Sequence, residues 1–378
     1  MEVGMTQLLR GTGARLPRRA VLGAGLRLGA GLGLGAGLLA APCARAAAPS
    51  LAGVTLRVAT WGGTWMQLLQ QFVEPGLTAR GATVEYVLGQ PDDNLAKLIA
   101  ARGQRPPIDV IEYSENDRSS MLGAGVLAPI DYAQLPNAQG VGPQERLASM
   151  VANSSTLDGI VYNGAKFKEA GIAPPRTYAD LADPKLRDRI AFGDITTPQG
   201  VKGLIAIAYE NGGNETNLMP GMQAIVKLKP RSFYKTWTQI LTQFKAGDVW
   251  AAHWHAGWVV RGRQAGIPLD LALPPVAGKH GVLSNTWLSP IKGSPNGAAA
   301  LAFINEYLAP QPQIELGRRN GIRPINQQAA DALAKSDPTL AAVLPLSQAA
   351  VTEIFYPDIL KIDMDALIDR WNRTVLRA

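Results

Sequence analysis

Apolar and polar positions alternate from Val54 to Thr60, with Val54, Leu56 and Val58 on one face. A period of two predicts a strand. Gly62-Gly63 breaks the pattern, and Met66 to Val73 continues at helical spacing. Ala82 to Leu88 predicts a second strand. Asp92-Asp93 then offers an N-cap to a helix carrying Leu95, Leu98 and Ile99 on one face and ending at Gly103. Pro106-Pro107 leads into a third strand at Ile108 to Ile111, followed by a short helix from Asn116 to Leu122 that Gly123 and Gly125 close. Strands alternating with helices of this length predict βαβ units and a parallel sheet.

The later pattern extends this plan. Ser154 to Asn163 is strand-like around an expected turn at Asp158-Gly159, and Tyr178 to Leu181 opens a helical stretch ending near Pro184. Ile190 to Phe192 is a short strand that runs into the loop Asp194 to Gly200, with a helix from Val201 to Glu210 beyond it. Val249 to Trp254 is another strand, and Gly257 to Gln264 a helix. Ser294-Pro295 is expected to cap a helix with Leu301, Ile304 and Leu308 inward. Residues 338–378 look mainly helical and amphipathic. No internal repeat, Gly/Ser linker or like-charge run separates independent domains, so a second lobe must be interleaved with the first.

The N-terminal 46 residues follow a different rule. Arg18-Arg19 precede an apolar, Gly-rich run from Ala20 to Ala41 that only Arg27 interrupts, and Ala44-Arg45-Ala46 is an A-x-A exit. These are the three parts of a secretory signal, and the arginine pair matches a twin-arginine signal. The alternatives are a Sec signal with an incidental pair, a membrane anchor weakened by its glycines, or a lipoprotein built on Cys43. Removing the leader changes the charge. The full chain carries 37 Lys+Arg and 30 Asp+Glu; six of the basic residues and one acid lie in residues 1–46, leaving 31 against 29, or +2. A nucleic-acid-binding surface is therefore not expected. Cys43 is the single cysteine, so the mature chain has neither disulfide nor thiol chemistry. It must be held together by core burial, which a chain of roughly 330 residues can supply as two lobes. No later apolar run reaches spanning length, which predicts a soluble mature protein.

Taken in order, these segments resemble the extracellular solute-binding proteins of ABC importers, of the spermidine/putrescine-binding type. The resemblance rests on Val58-Ala59-Thr60-Trp61-Gly62-Gly63, on Ile108 to Ser114, and on Leu122 to Asp131 with its Gly-Val-Leu-Ala-Pro-Ile-Asp stretch. It continues through Tyr178-Ala179-Asp180-Leu181, Phe244 to Trp250, and Arg263-Gln264-Ala265-Gly266-Ile267-Pro268. It implies an α/β, two-lobed periplasmic-binding-protein fold of type II-like form, with parallel or mixed sheets, a hinge and an interlobe cleft. One lobe is expected over residues 54–157 plus 286–326, the other over 158–285 plus 327–378, with crossovers near Asp158, near Asn285 and after Ile325. Such a protein works as a monomer in the periplasm, binds a small-molecule solute without a cofactor, and delivers it to ABC permease subunits in the inner membrane.

Ligands of open α/β sheets sit at the carboxyl ends of strands. The candidate contacts are therefore Trp61, Gly62 and Gly63; Ser114, Glu115 and Asn116; Thr197 and Gln199; Trp254 and His255; and Thr286 and Trp287. Trp61 and Trp254 match pocket tryptophans of the polyamine binders and suit an amine; the alternative for each is a core residue. Gly62-Gly63 could let a ligand approach the backbone or simply make a turn. Glu115 could hold an ammonium or stabilise the start of the helix from Asn116. The chain departs from the polyamine binders where they place acids: Gly63, the Thr196–Gln199 loop and Thr286 carry none. An unpaired charge of a desolvated dication costs several kcal/mol. A singly charged or zwitterionic solute is therefore expected, such as an amino acid derivative, an amino alcohol or an opine-like compound.

His253 and His255 lack a third ligand at readable spacing, so no metal site is expected. Thiamine, phosphonate and ferric ion remain alternative ligands, and a receptor for a membrane sensor would share the fold. An exported enzyme is disfavoured, since no G-x-S-x-G, H-E-x-x-H or C-x-x-C pattern occurs.

Overall fold

The structure, a computed structural model, describes residues 49–377. The leader, its cleavage site and Cys43 lie outside the described residues. Twelve strands form one mixed sheet: β1 (Thr55–Thr60), β2 (Thr83–Leu88), β3 (Val110–Ser114), β4 (Val151–Asn163), β5 (Ile190–Gly193), β6 (Ser232–Tyr234), β7 (Ala251–His255), β8 (Leu269–Ala272), β9 (Pro275–Val276), β10 (Lys279–Pro290), β11 (Arg323–Pro324) and β12 (Ile354–Phe355). The main order is β2-β1-β3-β10-β4-β7-β5-β6. Around β1, the pairs to β2 and β3 are parallel, and so are the β5 pairs to β6 and β7. The long strands β4 and β10 pair antiparallel with each other between these two parallel sets.

The apolar pattern explains why the core divides. Leu56, Val58, Val110 and Ile111 pack with Leu68, Leu69, Phe303, Ile304 and Trp287 into one cluster. A second cluster gathers Ile160, Phe192, Leu204, Ile207, Met222 and Trp371, and a neighbouring one lies around Trp254 on the opposite side of β7. Strand β4 contributes Val151 and Ala152 to the first cluster and Ile160 and Tyr162 to the second. Each buried leucine or valine side chain contributes about 1.5–3 kcal/mol, so the two ends of one strand are anchored in different interiors.

Several local expectations are corrected. No turn occurs at Asp158-Gly159; the strand runs unbroken from Val151 to Asn163. Asp158 looks like a turn residue because it is polar, but it is buried in an ion pair. Gly159 is required by a close approach, since a Cβ there would lie 2.4 Å from the Ala272 carbonyl oxygen. Gln90, not Asp92, is the N-cap of the helix Pro91–Ala100; proline takes the first helical position, and the two aspartates sit in the first turn, where they favour the helix dipole. The helix expected after Ser294-Pro295 begins later, at Gly297, with Asn296 as its N-cap. The C-terminal stretch includes the short strand β12 as well as helices. Among the described residues no helix is long and apolar enough to cross a membrane.

Candidate functional site

The strand register brings the loops of the two parallel sets together. Ser114, the last residue of β3, pairs with Thr286, and His255, the last residue of β7, pairs with Asp158. Ser155 pairs with Asn285 between them. The exits of β3 and β7 therefore converge from opposite directions on the middle of β4 and β10, where a ligand site of an open α/β sheet is expected.

At the β1 exit, Trp61 is half-buried and meets Trp65 edge-on, with ring centroids 5.6 Å apart. Gly62 and Gly63 are exposed. Gly63 adopts φ 66° as the N-cap of the helix Thr64–Phe72, a conformation that favours glycine. Beneath the pair lies Glu112, a residue the sequence reading passed over. Its carboxylate accepts from Thr60 Oγ1 at 2.5 Å, Trp65 Nε1 at 2.8 Å, Tyr307 OH at 3.0 Å and Asn153 Nδ2. Burial pushes its pKa up, and the four donors oppose that. The run from Ile108 to Tyr113 holds two acids, Asp109 and Glu112, and nothing in the chain order singled out the second.

At the β3 exit, Asp117 folds back onto Ser114. The Ser114 amide and hydroxyl both donate to Asp117, at 2.9 and 2.6 Å. Burial raises the Asp117 pKa to about 6. Asn116 is half-buried. Glu115 is buried, and its carboxylate takes Arg118 Nη1 at 3.1 Å, Trp287 Nε1 at 2.7 Å and Tyr356 OH at 2.5 Å. The Arg118 guanidinium also lies over the Trp287 ring. Tyr356 follows β12, so this carboxylate joins the first core to the C-terminal segment, a link with no sequence signal.

At the β5 exit, Asp194 accepts from the backbone and hydroxyl of Thr196 at 3.0 and 2.6 Å. Thr197 caps the helix Pro198–Glu210, accepting from the Gly200 amide at 3.1 Å. That helix starts three residues earlier than expected, so Gln199 lies in its first turn, half-buried. One turn on, Lys202 is buried with Asp158, Nζ to Oδ1 at 2.7 Å, and also donates to Thr156 at 3.0 Å. Burial pushes the Asp158 pKa up and the Lys202 pKa down, each opposed by the other's charge. His253 stands beside the pair, its Nδ1 2.7 Å from the Tyr178 hydroxyl, and burial lowers its pKa to about 3. Among the described residues no group of three or more His, Cys, Asp or Glu side chains is placed to hold a metal ion.

At the β7 exit the two candidates separate. His255 is half-buried, and burial, with help from Lys202 and Arg261, holds its pKa well below the usual imidazole range. Trp254 is 1% exposed and stacks on Trp258 at 4.7 Å and on Phe244 at 5.9 Å, under the helices Trp237–Ala246 and Gly257–Gln264. It packs in the core, the second of the two places weighed for it, because alternation along β7 turns it toward those helices. Trp287 is also 1% exposed and acts through its Glu115 bond, while Thr286 is half-buried on the opposite face. Trp237 was missed: it is 58% exposed and stacks on Trp258 at 5.3 Å.

The profile of the bacterial extracellular solute-binding protein family matches residues 67–342, and the chain belongs to that family. Solved structures agree on the fold. An ABC transporter protein from Clostridium perfringens is 23% identical with a TM-score of 0.70, over 85% of this chain and 99% of that one. The binding protein MotA from A. tumefaciens, solved with glucopine, is 20% identical with a TM-score of 0.68, over 85% and 99%. AgtB from A. tumefaciens, solved with agropinic acid, is 20% identical with a TM-score of 0.64, over 86% and 99%. The fold is thus of the periplasmic-binding-protein type. No curated protein matches this chain.

Proposed function

We propose that this chain captures a small, singly charged or zwitterionic organic solute where the strand exits converge, and passes it to the permease of an ABC importer. It would work in the periplasm as a monomer after loss of the leader, with lobes over residues 54–157 plus 286–326 and 158–285 plus 327–378.

The observation that carries the solute class is the state of the acids at the strand exits. Glu115 is held by Arg118, Trp287 and Tyr356, and Glu112 by four donors; Asp194 takes both Thr196 bonds on Oδ1, and Lys235 Nζ lies 4.0 Å from its Oδ2. A polyamine would have to displace these partners to neutralise its ammonium groups, and an uncompensated buried charge costs several kcal/mol. The half-buried Trp61, Thr156, Thr286, Thr197 and Gln199 offer indole, hydroxyl and amide contacts instead. The relatives solved with glucopine and agropinic acid support an opine-like or amino-acid-derived solute.

The test is isothermal titration of the mature protein with glucopine, agropinic acid, γ-aminobutyrate, putrescine and spermidine. Binding of one of the first three, with the two polyamines silent, is the expected result. Sub-micromolar binding of either polyamine would reverse the assignment.

A further inference from the structure

A cavity of about 290 Å³ lies beside β10, on the strand face opposite Ser284 and Thr286. Side chains alternate along a strand, so Leu283 and Asn285 project into this cavity and away from the Thr156–Ser284 side, where Lys202 reaches the crossing strands. Its volume is at the small end of ligand pockets, roughly 300 Å³ and upward. The floor is apolar, with Leu283, Val351 and Ile354, and the Tyr356 ring stands partly exposed beside it.

The polar groups there fall on one side of charge complementarity. Glu145 lines the cavity, but one of its oxygens takes Arg323 at 2.8 Å and the other takes the Gly142 amide at 3.2 Å. Lys279 is exposed at the rim and has no carboxylate within 4.0 Å among the described residues. Asn285 is nine-tenths buried; its Oδ1 accepts from Ser155, while its Nδ2 has no protein acceptor among the described residues. The cavity therefore combines an apolar floor, one unpaired cation, the free amide nitrogen of Asn285 and the exposed amide of Gln144.

We propose that this cavity is a second small-molecule site, for a compact apolar monocarboxylate. The carboxylate meets Lys279 and Asn285, and the apolar body rests on Leu283, Val351 and Ile354. Glu145 comes from the first core, whereas Val351, Ile354 and Tyr356 come from the C-terminal segment. Tyr356 also donates to Glu115 at the β3 exit. An occupant thus touches both Glu145 and the C-terminal segment and stands one hydrogen bond away from Glu115.

The probe is phenylacetate, titrated into the mature protein while backbone amide shifts are followed by NMR. The expected result is saturable shifts clustered at Lys279, Leu283, Asn285, Val351, Ile354 and Tyr356. Lys279→Gln, an exposed change, should weaken binding about fivefold, the range of one exposed charge pair. Phenylacetamide should bind correspondingly worse than phenylacetate. Val351→Trp, if its amide spectrum stays dispersed, should abolish saturation by filling the cavity. Absence of saturable shifts, shifts clustered at the β1 and β3 exits instead, or equal affinity in wild type and Lys279→Gln overturns the proposal. None of these outcomes depends on which solute the strand exits take.

Discussion

The protein carries two tryptophan groups at strand exits, and they do different work. Trp61 and Trp65 follow β1, meet edge-on at 5.6 Å and are both half-buried. Trp254, Trp258 and Trp237 form a stack in which the inner ring is 1% exposed and the outer ring 58%. In the first group, Trp65 spends its indole N–H on the buried Glu112, and Trp61 is left at the mouth of the β1 exit. In the second, β7 turns Trp254 beneath two helices, so the ring nearest the strand end is also the one deepest in the core. An aromatic residue at a strand exit is therefore a ligand candidate only when its parity points it away from a covering helix.

The largest expected effect breaks the second group. Trp254→Ala should cost about 3–5 kcal/mol in denaturant unfolding, the range for a fully buried tryptophan. A loss below about 1 kcal/mol would return Trp254 to the pocket. A comparable loss is expected from Lys202→Ala, about 3–5 kcal/mol, because it leaves Asp158 buried and uncompensated. That ion pair lies on the face of β7 and β4 opposite Trp254, so the two losses should add within about 0.5 kcal/mol.

His253 tests the same strand by pH. Its folded pKa of about 3 lies below the ordinary 6.5, so the unfolded chain takes up a proton that the folded chain refuses. Stability should fall as the pH drops below about 6.5, by up to about 1.4 kcal/mol per pH unit for this imidazole. His255 is shifted in the same direction. In His253→Asn the slope between pH 6 and pH 4 should be shallower by up to that amount; an unchanged slope would mean that His253 is charged in the folded protein.

The smallest stability effects are expected at the outer rings. Trp61→Ala and Trp237→Ala should each cost about 1 kcal/mol, the scale of one aromatic pair at a partly exposed site. Solute affinity should separate them. Trp61→Ala should weaken binding at least about tenfold, the scale of one well-placed cation–π or stacking contact. Trp237→Ala should leave affinity within about twofold, because its ring stacks on Trp258, on the side of the stack away from the buried Trp254.

Much of the fold was legible in the amino-acid order. Alternation located β1 and β2, a short apolar run located β5, and the helix Gly257–Gln264 was placed to the residue. The candidate site was legible in part. Chain order places Trp61, Ser114, Thr197 and His255 at strand exits, but it does not reveal which acids there are free. Glu115 looked available, yet its partners Trp287 and Tyr356 lie 172 and 241 residues away. Asp158 looked like a turn, yet its partner Lys202 reaches it from a helix.

The sequence by itself determined an α/β chain with parallel strand sets and aromatic strand exits, because periods of 2 and 3.6 and turn residues act over a few neighbours. Only the tertiary structure decided which tryptophans are buried and which are partly exposed, which carboxylates already have partners, and that β4 passes straight through Asp158. Those outcomes depend on which face each side chain presents and on charges brought together from distant parts of the chain, and burial makes such pairings cost or contribute several kcal/mol.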